Sequence, residues 1–277
     1  MSQTTLVPYI GGKTRLADWI ISQFPEHRIY CEPFGGGASV LLNKQRSYSE
    51  VYNDGYSHIV HFFEIVKTRP DELVEAIQLT PYSRELYQEY QQELINGEYP
   101  DDGVERAARF FLVATASMQA DLTSLNGFKA SRSGNRARTW EKKKDHVYDV
   151  AERLRGVILE NRDYQAVIEK YDTDETLYYL DPPYARGDDY YNHDGEFDHD
   201  RLLNTLQDID GYFLLSYGNE IPFDLPDGWY VISEESVVQD TNSTEADEVL
   251  ISNFDPTEVE SWTGPSDRID FDWDSSQ

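Results

Sequence analysis

The stretch Ile29-Tyr30-Cys31-Glu32-Pro33-Phe34-Gly35-Gly36-Gly37-Ala38-Ser39-Val40-Leu41-Leu42 decides the fold. Ile29 to Glu32 is a short extended run, the glycines make a tight turn and Ala38 to Leu42 is apolar, so the segment reads as strand, turn, helix. Open α/β sheets use this arrangement to bring backbone N–H groups and a helix N-terminus up to a nucleotide-like ligand. The glycine spacing is neither GxGxxG nor GxxxxGK[ST], so a bare strand-to-helix turn is the alternative. Downstream, Glu50-Val51-Tyr52-Asn53-Asp54 reads as a second strand ending in an acid. A carboxylate there can accept hydrogen bonds from both hydroxyls of a ribose, or can simply cap a helix.

Working outward, further strands are expected at Val157 to Glu160, Leu177 to Leu180, Tyr212 to Ser216, Tyr230 to Val238 and Glu248 to Ser252, with helical patterns between several of them. Strands alternating with helices imply an α/β fold with a doubly wound, mainly parallel sheet. The interval 57–155 breaks the alternation and reads as an inserted, mostly helical subdomain. The core domain is then 1–56 plus 156–254, followed by an acidic, partly ordered solvated tail, 255–277. Within the insertion, Asn126-Gly127 is a turn signal consistent with a hairpin or loop.

The chain has 52 acidic against 24 basic residues, a formal charge of −28. A hydrophobic content of 39% with 13% aromatics supports a packed core rather than a disordered acidic chain. The acid therefore reads as a solvated surface adapted to molar salt, where screening acts within ~3 Å. Against that background, Lys129 to Arg155 holds nine basic residues and four acidic ones, a basic island suited to a polyanion. No run approaches the ~20 apolar residues of a membrane helix. Met1 to Thr5 lacks the features of a signal peptide, so a cytoplasmic location with no membrane partner is expected. With Cys31 as the single cysteine, no internal disulfide or cysteine-based zinc cluster is expected, and no metal.

Asp181-Pro182-Pro183-Tyr184 follows the apolar strand Leu177-Tyr178-Tyr179-Leu180, at the strand end where such sheets bind ligands. Two prolines fix φ and remove two donors, leaving a stiff loop of outward carbonyls. An aromatic amine is a poor nucleophile because its lone pair is delocalised. The Asp181 carboxylate and the Pro182 carbonyl can each accept one amino hydrogen, which favours a pyramidal nitrogen and aims its lone pair. Tyr184 offers a flat face for a base taken out of a duplex. An ordinary proline turn is the alternative.

From Pro8 to about Phe254 the chain resembles the Dam-type (D12 class) adenine-N6 DNA methyltransferases. The residues responsible are Pro8-Tyr9-Ile10-Gly11-Gly12-Lys13, Glu32-Pro33-Phe34-Gly35-Gly36-Gly37-Ala38-Ser39, Tyr52-Asn53-Asp54 and Asp181-Pro182-Pro183-Tyr184. Their order, with an insertion before Asp181, resembles the family's α arrangement, in which the inserted region recognises the target. The resemblance implies a Rossmann-like methyltransferase sheet, S-adenosylmethionine as methyl donor, transfer to N6 of a flipped adenine in double-stranded DNA, and a restriction endonuclease as a partner to be looked for.

By the same resemblance, Asp181, Pro182, Pro183 and Tyr184 are the catalytic residues. Tyr9, where the family often has tryptophan, and Lys13 contact the donor; Glu32, Phe34, Gly35 and Gly37 lie along its methionine part. Asp54 holds its ribose, Asp163 lies near its adenine, and Asp181 also touches it. Asp163 reads equally as a helix cap, and Lys13 as a surface lysine. The insertion departs from the family in Ser124 to Arg132, so target identity does not transfer. Asn126, Lys129, Arg132, Arg136 and Arg138 are candidates for phosphate or base-edge contacts, while Lys142 to Lys144 fit a solvated helix start equally well. Cytosine N4, RNA or a protein glutamine are alternative acceptors, and a DNA-binding protein that has lost catalysis is the non-enzymatic alternative.

Overall fold

The computed structural model describes residues 5–8, 12–118, 122, 125–130, 135–183, 197–218, 221, 223–234 and 248–264. The elements run α1 (Ala17–Ser22), β1 (Ile29–Glu32), β2 (Ser49–Asn53), α2 (Ser57–Thr68), α3 (Pro70–Leu79), α4 (Arg84–Asn96), α5 (Gly103–Ala116), α6 (Arg136–Lys143) and α7 (Asp145–Leu154). They continue with β3 (Val157–Glu160), α8 (Tyr164–Tyr171), β4 (Thr176–Leu180), α9 (His199–Gln207), β5 (Tyr212–Gly218), β6 (Tyr230–Glu234) and β7 (Glu248–Ser252). The chain divides into two units, Met1–Ala17 with Gly36–Asn43 and Asp54–Asn161, and Asp18–Gly35 with Lys44–Asn53 and Arg162–Gln277.

In the second unit, six strands lie in the order β2-β1-β4-β5-β7-β6. β2, β1, β4 and β5 are parallel, and β7 runs antiparallel to both β5 and β6. β2 lies on one side of β1 and β4 on the other, so the chain winds outward from β1 in both directions, which is the doubly wound, Rossmann-like arrangement. Central strands of a parallel sheet are covered on both faces, and β4 accordingly has all five residues buried. One sheet face is apolar: Cys31, Val51, Tyr178, Leu180, Phe213, Leu215, Val249 and Ile251 pack against Val167 and Ile168 of α8 and Leu202 and Leu206 of α9.

The first unit contains the six helices from α2 to α7 together with β3. α2 presents Ile59, Phe62, Phe63 and Val66, all buried, and Phe62 stacks on Phe111 of α5 at 5.3 Å. Trp140 of α6 packs on Phe111 and donates its indole N–H to the Thr80 carbonyl (2.9 Å), so the basic island has an anchored residue within it. Asp102 caps α5 by accepting from the N–H groups of Val104 and Glu105. The helix expected after Gly37 does not form. Gly36 (φ 46°) and Ala38 (φ 55°) are left-handed, and the segment up to Asn43 closes one turn through Leu42 N–H to Ala38 O (2.9 Å) before leaving. No helix among the described residues is long and apolar enough to cross a membrane.

A buried polar cluster fastens the start of β1 to residues near 262. His27 Nδ1–H donates to the Pro25 carbonyl (2.8 Å), leaving Nε2 to accept from the Ser47 hydroxyl (2.8 Å). Lys44 donates to Ser47 (2.8 Å) and pairs with Glu50 (2.6 Å), its ammonium lying over the rings of Tyr30 (4.3 Å) and Trp262 (5.0 Å). Trp262 also packs on His27 at 4.9 Å, and its backbone N–H donates to Phe24 O (2.9 Å), so this part of the acidic tail is a fixture of the unit. Burial, with the adjacent Lys44 charge, lowers the His27 pKa to about 4. The unfolded chain then binds the proton more readily than the folded one, and stability complete above pH ~6.5 is lost as pH falls from there towards 4. Denaturant unfolding across that window is expected to lose about 3 kcal/mol through this residue, with a visibly shallower loss in His27→Gln.

Candidate active site

The carboxyl ends of β1 and β4 flank the point in the second unit where the winding reverses, the position at which open α/β sheets hold ligands. Glu32, the last residue of β1, is buried and accepts the Tyr30 hydroxyl (2.6 Å). Asp181 and Pro183 are half-buried and Pro182 is buried directly after β4. Cys31 is opposite Tyr178, so the register places Glu32 beside Tyr179; Leu180 is opposite Leu215, so Asp181 comes beside Ser216.

The loop after β1 is fixed by β2. Gly35 N–H donates to the Asn53 carbonyl (2.8 Å), and a Cβ on Gly35 would lie 2.1 Å from the Tyr52 ring, so no larger residue fits. The Asn53 side chain donates to the carbonyls of Pro33 (2.8 Å) and Arg162 (3.0 Å) and accepts from the Arg162 N–H (2.8 Å). One amide thereby sets the loop after β1 against the entry to α8. Phe34 accordingly packs on Tyr164 (5.0 Å) and Phe197 (5.8 Å). Asp163 caps α8 through the Gln165 N–H (3.1 Å) and takes both arms of Arg201 (2.6 and 3.0 Å). Burial opposes its ionisation, but the Arg201 hydrogen bonds outweigh that and hold the carboxyl below its usual range.

In the first unit, Asp54 is buried, one oxygen accepting from Gly36 N–H (2.8 Å) and the other from Tyr56 N–H (2.7 Å). Burial pushes this carboxyl upward despite the two donors. Asn161 holds the Asp54 carbonyl (2.7 Å). Gly37 lies between the left-handed Gly36 and Ala38, and Lys13 is buried, with its neighbour Thr14 hydrogen-bonded to Ser39 (3.0 Å).

The basic candidates of this unit divide in two. Lys129 N–H donates to Ala116 O (2.6 Å), Met118 N–H donates to Gly127 O (2.9 Å) and Ser117 bridges Phe128, so the expected Asn126-Gly127 turn does not form: neither residue has a positive φ, and both lie in a segment paired with the end of α5. The Asn126 carbonyl accepts the Tyr87 hydroxyl (2.9 Å). Arg136 and Arg138, at the start of α6, are exposed. Lys143 is instead half-buried, donates to Leu6 O (2.9 Å), and has its pKa lowered to about 8 by desolvation and the nearby Lys129. Tyr9, Arg132 and Tyr184 lie outside the described residues. Among the described residues, no three His, Cys, Asp or Glu side chains come together to hold a metal ion.

Sequence reasoning missed the work done by Asn53 and Arg201. The Tyr52-Asn53-Asp54 motif pointed at the first, but the Asp163 partner is 38 residues away with no local signal. Asn53→Ala removes three hydrogen bonds from a buried carboxamide and is expected to cost about 3 kcal/mol in denaturant unfolding.

Residues 9–244 match the family described as D12 class N6 adenine-specific DNA methyltransferase. The chain is 28% identical over 183 residues to a DNA adenine methylase of Escherichia coli strain K12, covering 64% of this chain and 63% of that protein. The match to the DNA adenine methylase of E. coli O157:H7 has the same identity and coverage. The DNA adenine methylase of Salmonella typhi is 38% identical over 79 residues, 28% of this chain and 26% of that protein. The chain thus spans somewhat under two thirds of the length of the E. coli relatives.

Proposed function

Because the chain belongs to the D12 class N6 adenine-specific DNA methyltransferases, we propose that it transfers a methyl group from S-adenosylmethionine to N6 of a flipped adenine in duplex DNA. The observation that carries this reading is the Asp181-Pro182-Pro183 loop at the carboxyl end of β4, beside Glu32 of β1, at the winding reversal of the sheet. The donor set suits the methyl donor. Each Asp54 oxygen holds one backbone N–H and keeps a lone pair for a ribose hydroxyl, and Glu32 and Asp181 suit the cationic amino-acid portion. Lys13, Phe34, Gly35, Gly37, Asp163 and Tyr9 are the further proposed contacts.

The donor, when bound, supplies an electrophilic methyl group, so the chain must supply a nucleophilic nitrogen. The proline-stiffened Asp181 loop does this by accepting the two amino hydrogens, on the Asp181 carboxylate and the Pro182 carbonyl, which draws the nitrogen lone pair out of the ring. As the N–C bond forms and the methyl–sulfur bond breaks, its electron pair staying on the departing thioether, the nitrogen gives up a proton, and Asp181 is its nearest proposed acceptor. Tyr184 is proposed to stack on the flipped base. Lys129, Arg136, Arg138, Asn126 and Arg132 are proposed DNA contacts. The acid surplus supports salt adaptation, and a cytoplasmic setting and a restriction endonuclease partner are proposed beside it.

Incubation with labelled donor and duplex DNA in molar potassium chloride is expected to yield N6-methyladenine on nucleoside analysis; N4-methylcytosine, or no product at any salt, would overturn the proposal. Asp181→Ala is expected to lower transfer by at least about a hundredfold, with DNA affinity unchanged. Near-normal turnover would remove Asp181 from the chemistry. Because counterion release contributes little in molar salt, DNA affinity measured by anisotropy is expected to fall less steeply with salt than in a charge-neutral family member.

A further inference from the structure

On the sheet face opposite the apolar core of the second unit, Leu177, Leu214 and Leu250 give way to polar residues toward the carboxyl ends of the parallel strands. Side chains alternate along a strand, so Tyr30 and Glu32 of β1, Tyr179 and the following Asp181 of β4, Ser216 of β5 and Glu248 of β7 share it. All but Asp181 are buried. Two of the three hydroxyls are spoken for: Tyr30 donates to Glu32 (2.6 Å) and Ser216 to Glu248 (2.6 Å). The hydroxyl of Tyr179, a residue only 3% exposed, has no hydrogen-bond partner. Ser216, the nearest hydroxyl, spends its own hydrogen on Glu248, so it can at most receive the Tyr179 hydrogen and leaves the lone pairs of the phenol oxygen unmet. Leaving a buried hydroxyl unsatisfied is costly, and each such group in a folded protein asks for a reason.

The surroundings say what would satisfy it. Burial first, and then the carboxylates of Asp181, Glu248 and Glu32, oppose ionisation of Tyr179, so its oxygen stays protonated in a field of negative charge. A ligand carboxylate would be repelled there, whereas an ammonium is attracted, and a phenol oxygen has lone pairs to accept its hydrogens. Resting on the methyl-donor reading above, we propose that Tyr179 is a ligand contact whose hydroxyl accepts a hydrogen bond from the α-ammonium group of the donor's methionine portion. Binding turns the hydroxyl's unmet capacity into affinity, and its own hydrogen is free to swing to Ser216.

The test compares the full-length wild type with Tyr179→Phe by calorimetry against two probes, S-adenosylhomocysteine, which carries the amino-acid portion, and 5′-methylthioadenosine, which lacks it. Thermal unfolding of both proteins is measured without ligand. The expected result is that Tyr179→Phe weakens S-adenosylhomocysteine binding about tenfold, leaves 5′-methylthioadenosine binding unchanged, and does not lower the melting temperature. Unchanged S-adenosylhomocysteine affinity would overturn the assignment. Equal loss for both probes with a lower melting temperature would also overturn it, by making the residue structural. If the wild type binds neither probe, the methyl-donor reading itself fails.

Discussion

The carboxyl edge of the second unit depends on one planar amide. Parallel strands have no hairpins to fix the loops that leave them, so the loops must be positioned by side chains. Asn53 does this from the end of β2, with its amide hydrogens on Pro33 and Arg162 and its oxygen on the Arg162 N–H, while its own carbonyl takes Gly35. The glycine is part of the same constraint, because the loop runs so close to Tyr52 that a single methyl group would collide with the ring. Phe34, Glu32 and the start of α8 are placed as a consequence.

The two faces of the sheet divide the labour. The face under α8 and α9 is a continuous apolar layer and supplies the burial that holds the unit together. The other face keeps Leu177, Leu214 and Leu250 but carries tyrosines, carboxylates and a serine beyond them on the same strands, at positions where apolar residues would be more stabilising. Local rules broken in this way are expected where a protein binds or reacts, and the breach is concentrated at the strand ends that carry Glu32 and Asp181.

Much of this was legible in the sequence. β1, β3 and β7 have the expected bounds, because short apolar and aromatic runs between turn residues leave a strand little choice. Asp181-Pro182-Pro183 falls at the end of a buried strand for the same reason. The helix after Gly37 was misread, since hydrophobicity at Val40 to Leu42 does not reveal the left-handed φ of Ala38 that reverses the chain first. Partner choice across long separations was invisible: Asp163 looked like a ligand contact or a cap, and only the fold brings Arg201 to it. Tyr179 read as one more aromatic strand residue, because alternation tells which face a side chain takes but not whether its hydroxyl finds a partner.

The contact of Trp262 with His27, Lys44 and the Phe24 carbonyl has a bearing on how the molecule comes into being. The neighbourhood of β1 is assembled from residues far apart along the chain, and β7 enters the sheet only when position 252 has been synthesised. During translation the β1 and β4 pair must therefore wait with its edge and its polar face incomplete, an aggregation-exposed interval typical of folds with distant partners. The acid surplus of the chain keeps such nascent segments repelling one another during that interval.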